Sequence, residues 1–277
     1  MTPDEYCRQK AAASGSSFYY SFLFLPAERR RAITALYAFC REVDDVVDEG
    51  MDPQVAAAKL GWWRAEVGNL FEGKAQHPVT QALEPHLAAF GITAERLNEI
   101  IDGMEMDLQQ SRYLDWAGLE AYCYRVASVV GLLAAGIFGY RDARTLDYAK
   151  SLGIAFQLTN IIRDVGEDAR KNRLYLPVED LQRFGVPAGD ILQAKETPAF
   201  RSLMAFEAER ARGYYERAFA ALPASDRRAQ RPGLIMAAIY RTLLDEIQRD
   251  GFRVLTQRTS LTPLRKFWLA WRTWVAA

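Results

Sequence analysis

Apolar side chains recur along this chain at spacings of three and four residues, and no stretch alternates them with polar ones. That period predicts helices over residues 3–14, 27–49, 53–73, 79–89, 93–110, 115–139, 145–168, 198–221 and 226–250. Gly50 and Pro53 stop the second of these, and Leu222-Pro223 separates the last two. With neither strand alternation nor a low-complexity linker, the expectation is one all-α domain over residues 1–277. Segment 115–139 is long and almost uncharged, with Arg125 its only basic residue and Gly131, Gly136 and Gly139 inside it. Glycine costs up to ~1 kcal/mol in a helix interior, so these three point either to close helix packing or to room for a ligand. The tail from Pro263 carries Arg265, Lys266, Phe267, Trp268, Trp271 and Trp274. It either lies on a membrane surface or docks on the body of the protein.

Two of the helices carry a polar stripe on an otherwise apolar cylinder. Tyr37, Arg41, Asp44 and Asp48 sit at offsets of 0, 4, 7 and 11, a single line along a helix. Ile33, Leu36, Cys40, Val43 and Val47 adjoin that line, so the two aspartates border the core face. Taken alone, the pattern also fits a solvated acidic helix end. Carboxylates facing a core are costly unless a cation or donors meet them. The second stripe, Gln157, Asn160, Asp164 and Asp168, falls within about 80° on a helical wheel and is surrounded by Ile154, Leu158, Ile161, Ile162 and Val165. Such a stripe predicts an internal cavity. If the two helices face each other, four carboxylates and a carboxamide converge, which is self-repulsive without a counter-charge. A hard divalent cation such as Mg2+ resolves this and bridges carboxylates to phosphate oxygens. Arg41, Arg163, Lys171 and Arg173 lie close by in sequence, so the implied ligand is a diphosphate. Metal-held diphosphate in an apolar cavity points to ionisation chemistry, and the apolar volume suits long isoprenoid chains. Asp102, Glu105 and Asp107 read instead as a solvated helix face.

Composition adds mostly exclusions. Charges balance at 35 against 35 and the isoelectric point is near 6.8, so no global field draws the chain to nucleic acid. Cys7, Cys40 and Cys123 show no C-x-x-C or metal spacing and fit reduced thiols. The N-terminus lacks signal-peptide order and no apolar run approaches ~18 residues. The expectation is a cytoplasmic protein, with the tail as its peripheral contact on the inner face of the membrane. Ser14-Gly15-Ser16-Ser17 is either a helix cap or a set of donors for an anion.

Six stretches carry a family resemblance: S-G-S-S-F (14–18), Y-A-F-C-R-E-V-D-D-V-V-D (37–48), Y-C-Y-R-V-A-S-V-V-G (122–131), Q-L-T-N-I-I-R-D-V-G-E-D (157–168), R-L-Y-L-P (173–177) and Y-R-T-L-L-D-E-I (240–247). Over about residues 5–260 the chain resembles the squalene/phytoene synthase family of head-to-head prenyltransferases. The resemblance implies an all-α class I isoprenoid synthase bundle around a central cavity. It implies Mg2+, with Mn2+ as a substitute, held by Asp44 and Asp48 on one helix and by Asn160, Asp164 and Asp168 on the other. Arg41, Arg163, Arg173 and Tyr240 would hold diphosphate, and Tyr37 and Gln157 would line the site. Ser14, Ser17 and Phe18 would meet substrate from the N-terminal side, and Tyr122 would guide proton loss.

Within the family, A-A-A-S-G-S-S-F-Y-Y-S-F-L-F-L-P is similar to bacterial presqualene diphosphate synthases of the hopanoid pathway. The implied reaction joins two farnesyl diphosphates into presqualene diphosphate and passes it to a downstream squalene-forming enzyme. Lacking a G-x-G-x-x-G fingerprint, the chain is not expected to use NADPH. A phytoene or dehydrosqualene synthase is the alternative. A non-catalytic relative is a further one, disfavoured because all five metal-motif positions are present.

Overall fold

The computed structural model describes residues 1–13, 21–22, 24–48 and 52–276, with Asp48 described in its backbone only. Among the described residues every regular element is helical, and the only β-type contact is a lone bridge between Arg112 and Leu174. In chain order the helices are α1 (Pro3–Ala13), α2 (Ala27–Asp48), α3 (Pro53–Phe71), α4 (Pro78–Leu83), α5 (Leu87–Phe90), α6 (Ala94–Gln109), α7 (Trp116–Cys123), α8 (Val129–Phe138), α9 (Arg144–Arg170), α10 (Val178–Arg183), α11 (Ala188–Leu192), α12 (Pro198–Ala221), α13 (Arg231–Arg249) and α14 (Pro263–Ala276). The long helices fall where the period of the sequence puts them. The segment expected as one helix near 79–89 is divided by a short 3-10 turn, Glu84–His86, where Pro85 cannot continue the α-helical bonding. The helix expected from 226 begins at Arg231, with Pro232 in its first turn.

Segment 115–139 forms one continuous apolar rod, but a π-helical turn, Tyr124–Ser128, separates α7 from α8. By length and composition, Trp116–Phe138 could cross a membrane. Its packing shows a core helix instead. Leu119, Tyr122 and Cys123 join the apolar cluster built on α9, α12 and α13. Val129, Leu133, Ile137 and Phe138 join the second cluster, built on α2, α3, α4 and α6. The rod is thus the shared wall between two halves of the core.

The glycines of this region serve close packing. A Cβ on Gly131 would lie 2.7 Å from the Ala149 carbonyl oxygen, and one on Gly136 2.8 Å from that of Phe90. From the opposite side, a Cβ on Gly153 would lie 2.6 Å from the Ser128 Cα. The π-turn and the middle of α9 therefore touch backbone to backbone. The tail docks on the body: Leu269 and Ala270 are buried, and Trp274 stacks on Phe24 at 4.9 Å beneath the Arg231 guanidinium.

Because backbone atoms cannot yield to a methyl group, Gly153→Ala is expected to destabilise the fold by ~1–3 kcal/mol. A lower urea midpoint with an unchanged m-value checks this.

Candidate active site

Helices α2 and α9 face each other across a cavity of about 420 Å³. The lining changes character along both. On α2 it runs from Ile33 and Leu36 through Tyr37 and Cys40 to Arg41 and Asp44. On α9 it runs from Ala149 and Leu152 through Phe156 and Gln157 to Asn160 and Arg163. The C-terminal ends of the two helices therefore form a polar mouth over an apolar interior. Tyr122 from α7 and Tyr240 from α13 complete the wall, and Arg258 and Lys266 close the mouth from the C-terminal side.

Charge at the mouth is compensated within the protein. Arg41 bonds Asp44 at 2.6 Å and Asp45 at 2.7 Å, and Lys10 reaches Asp45 at 2.8 Å. Arg163 grips Asp164 with two donors, at 2.8 and 2.5 Å, and Arg258 adds a third at 2.8 Å. Burial raises the Asp164 pKa, but Arg163 and Arg258 outweigh it and hold the carboxyl below its usual range. Asp168, one turn on, is pushed up to about 7, first by burial and then by the charge of Asp164. The Tyr240 hydroxyl lies within hydrogen-bonding reach of Arg163, while its ring packs on Phe156 at 4.9 Å. Burial holds the Cys40 thiol, at the cavity wall, up to about 12 and therefore neutral.

Among the described residues, no three His, Cys, Asp or Glu side chains are already grouped as a metal site. The donor chemistry nevertheless fits a hard divalent cation. Asn160 gives its amide N–H to Gln157 at 3.4 Å, while its buried Oδ1 has no partner among the described residues, an arrangement that calls for a ligand. Asp164 and Asp168 supply oxygen donors whose mutual repulsion a cation relieves. Opposite them, α2 contributes Asp44.

Of the residues singled out from the sequence, Tyr37, Arg41, Asp44, Tyr122, Gln157, Asn160, Arg163 and Tyr240 line the one cavity. Ser14, Ser17 and Phe18 lie outside the described residues, as does the Asp48 side chain. Arg173 is not on the cavity wall; it donates to the Val47 carbonyl at 3.0 Å and so ties its loop to the end of α2. The reading of Asp107 as solvated is overturned. Its carboxylate accepts from the Tyr122 hydroxyl at 2.8 Å and from the Tyr175 hydroxyl at 2.9 Å. The signal was present: Asp107 continues the line of buried Leu97, Ile100 and Met104 along α6. Asp102 and Glu105 do face outward, paired with Arg64. Arg258 and Lys266 had no such signal, because neither lies on a periodic stripe shared with the aspartates.

A family model described as squalene/phytoene synthase matches residues 11–265. The 15-cis-phytoene synthase of Synechocystis sp. is 36% identical, over 96% of this chain and 84% of that protein. The phytoene synthase of Arthrospira platensis is 36% identical, over 95% and 89%. Among solved structures, a dehydrosqualene synthase in complex with ligand superposes with a TM-score of 0.86 at 29% identity, covering 99% of this chain and 96% of that one. A squalene synthase from Alicyclobacillus acidocaldarius gives 0.79 at 29% identity, covering 90% and 94%.

These relatives correct the expectation of a presqualene diphosphate synthase acting on farnesyl diphosphate in hopanoid synthesis. Curated relatives named for phytoene, 36–34% identical, match almost the whole chain. The stretch that suggested otherwise spans residues 11–26, half of which lie outside the described residues.

Asp168 makes the metal-free fold sensitive to pH. Its folded pKa, about 7, lies above the ordinary 3.8, so its stabilising protonated form is fully present below 3.8 and is lost as pH rises through 7. In chelator, Asp168→Asn should therefore melt higher than the parent, with a gain that grows above about pH 4 and levels off above about pH 7. Melting curves across that range check it.

Proposed function

The chain belongs to the squalene/phytoene synthase family, and on that premise we propose that it condenses two geranylgeranyl diphosphates head to head to give phytoene. The observation that carries the chemistry is the acidic mouth, its carboxylates paired with arginines, where α2 and α9 face each other above an apolar cavity. The phytoene-named relatives carry the chain length. At the coarser level the chain is a head-to-head prenyltransferase.

The diphosphate of one substrate enters the mouth. Arg41 and Arg163, each now held by a carboxylate, turn their donors to phosphate oxygens, and Tyr240 supports Arg163. Asp44, Asp48, Asn160, Asp164 and Asp168 would hold Mg2+ or Mn2+, which when bound supplies the positive charge that stabilises departing diphosphate. The C1–O bond breaks, and pyrophosphate leaves with the bonding pair. The 2,3-double bond of the second substrate attacks the allylic cation, and loss of one proton closes a cyclopropane. Departure of the second pyrophosphate, rearrangement and loss of a second proton give the conjugated centre of phytoene. The balance is two diphosphates in, one hydrocarbon, two pyrophosphates and two protons out, with no reductant consumed.

The walls suit this sequence. Tyr37, Tyr122, Phe156 and Tyr240 present rings to the cavity, and aromatic faces stabilise cations while excluding water. The Tyr122 hydroxyl donates its hydrogen bond to Asp107, which leaves its oxygen lone pairs free to accept. Dehydrosqualene from farnesyl diphosphate is the second reading, favoured by the superposition at a TM-score of 0.86.

Incubation with each diphosphate, Mg2+ and no nicotinamide cofactor is expected to yield a C40 hydrocarbon from the C20 substrate, read by mass spectrometry. A C30 product alone would select the second reading, and a stable cyclopropyl diphosphate would contradict both. Asp44→Asn and Asp164→Asn should each lower kcat by about 100-fold or more; unchanged turnover would remove these carboxylates from the proposed metal set.

A further inference from the structure

The last turns of α2 carry more acid than one arginine can meet. Residues 41–48 include four carboxylates, Glu42, Asp44, Asp45 and Asp48, against the single basic Arg41. Arg41 and Asp44 line the cavity mouth, whereas Glu42 and Asp45 meet α1. There a second cation is supplied. Lys10 reaches Glu42 at 2.9 Å and Asp45 at 2.8 Å, and the Tyr6 hydroxyl donates to Glu42 at 2.7 Å. Burial disfavours the Lys10 charge, but the hydrogen bonds to Asp45 and Glu42 outweigh it and raise the pKa, so the ammonium stays ionised.

Asp45 is the junction between the two cations. Its Oδ2 pairs with Lys10, and its Oδ1 accepts from Arg41 at 2.7 Å. A second Arg41 donor goes to Asp44 at 2.6 Å. The side chains thus alternate in sign, Asp44–Arg41–Asp45–Lys10–Glu42, from the cavity mouth to the face covered by α1. Lys10 and Asp45 themselves stand off the cavity wall. When Arg41 turns to a phosphate oxygen, Asp45 gives up one of its two partners, and Lys10 keeps the carboxylate compensated. Without a cation, that carboxylate would hold Arg41 back and repel the incoming anion.

We infer that Lys10 is a positioning residue that acts through Asp45 to release Arg41 to the substrate diphosphate. This role rests on Arg41 binding diphosphate, as proposed above, and is independent of chain length. It gives α1, which packs behind the mouth, a part in substrate affinity.

Calorimetric titration of inorganic pyrophosphate with Mg2+ into the full-length protein reads this without turnover. Lys10→Met is expected to weaken binding by about threefold to tenfold, and Lys10→Arg to bind as the parent does. In turnover of a prenyl diphosphate, Lys10→Met should raise KM by a similar factor and keep kcat within about twofold of the parent. Adding Asp45→Asn to Lys10→Met should restore affinity, because no uncompensated carboxylate then holds Arg41. Adding Glu42→Gln instead restores the same net charge away from Arg41 and should not. Parental affinity in Lys10→Met would overturn the inference. So would equal restoration by both double variants, which marks a diffuse field, or restoration by neither, which marks a packing role. If Lys10→Met does not fold, Lys10→Gln, which keeps a donor without the charge, is read against the same outcomes. Arg41→Gln tells the two failures apart. If it binds more weakly while Lys10→Met binds as the parent does, Lys10 alone loses its role; if Arg41→Gln itself binds as the parent does, the proposed diphosphate site fails with it.

Discussion

The structure depends on how it tolerates negative charge between two buried helices. Asp44 and Asp164 stand at the ends of α2 and α9, where isolated carboxylates would be driven toward neutrality or toward water. Each is met by an arginine one to three residues away along its own helix. The neutralising cation is therefore built into the element that carries the acid, and the mouth exists before any ligand arrives. Among the described residues no arginine forms an ion pair with Asp168, and burial and the Asp164 charge outweigh Lys171 and Arg173 and push its pKa up to about 7. The same site thus holds one acid ionised by pairing and one held near neutrality by burial and repulsion, a pattern associated with functional sites.

Around that mouth the fold separates polar from apolar work. The rod from Trp116 to Phe138 divides the core in two, and its glycine contacts let α9 approach it backbone to backbone. The π-helical turn lies at this crossing, where an extra residue per turn shifts the register of the rod below Tyr122. Tyr122 then reaches the cavity wall while its hydroxyl reaches back to Asp107 on α6. One carboxylate so fixes two tyrosines, Tyr122 and Tyr175, whose rings stack at 5.3 Å. The polar groups nearest the apolar interior are held by the scaffold, and the cavity between them keeps apolar walls.

The sequence by itself determined the helices, the two acidic stripes and the family. These features are local: a stripe at offsets of 4, 7 and 11 needs only helical geometry to exist, and its apolar neighbours place it at the border of the core face. Even Asp107 was legible in principle, since it continues a buried line along its helix. Chain length was not legible, because the cavity walls come from helices far apart in sequence; the relatives, not the motifs, moved the reading from C30 to C40 products. Tertiary structure alone brought Arg258 to Asp164 across 94 residues and set Lys266 at the mouth. It alone showed that the glycines pack helices and that the tail docks by one face while presenting the other. Those outcomes turn on which surfaces meet, and a one-dimensional period carries no information about the partner across the gap.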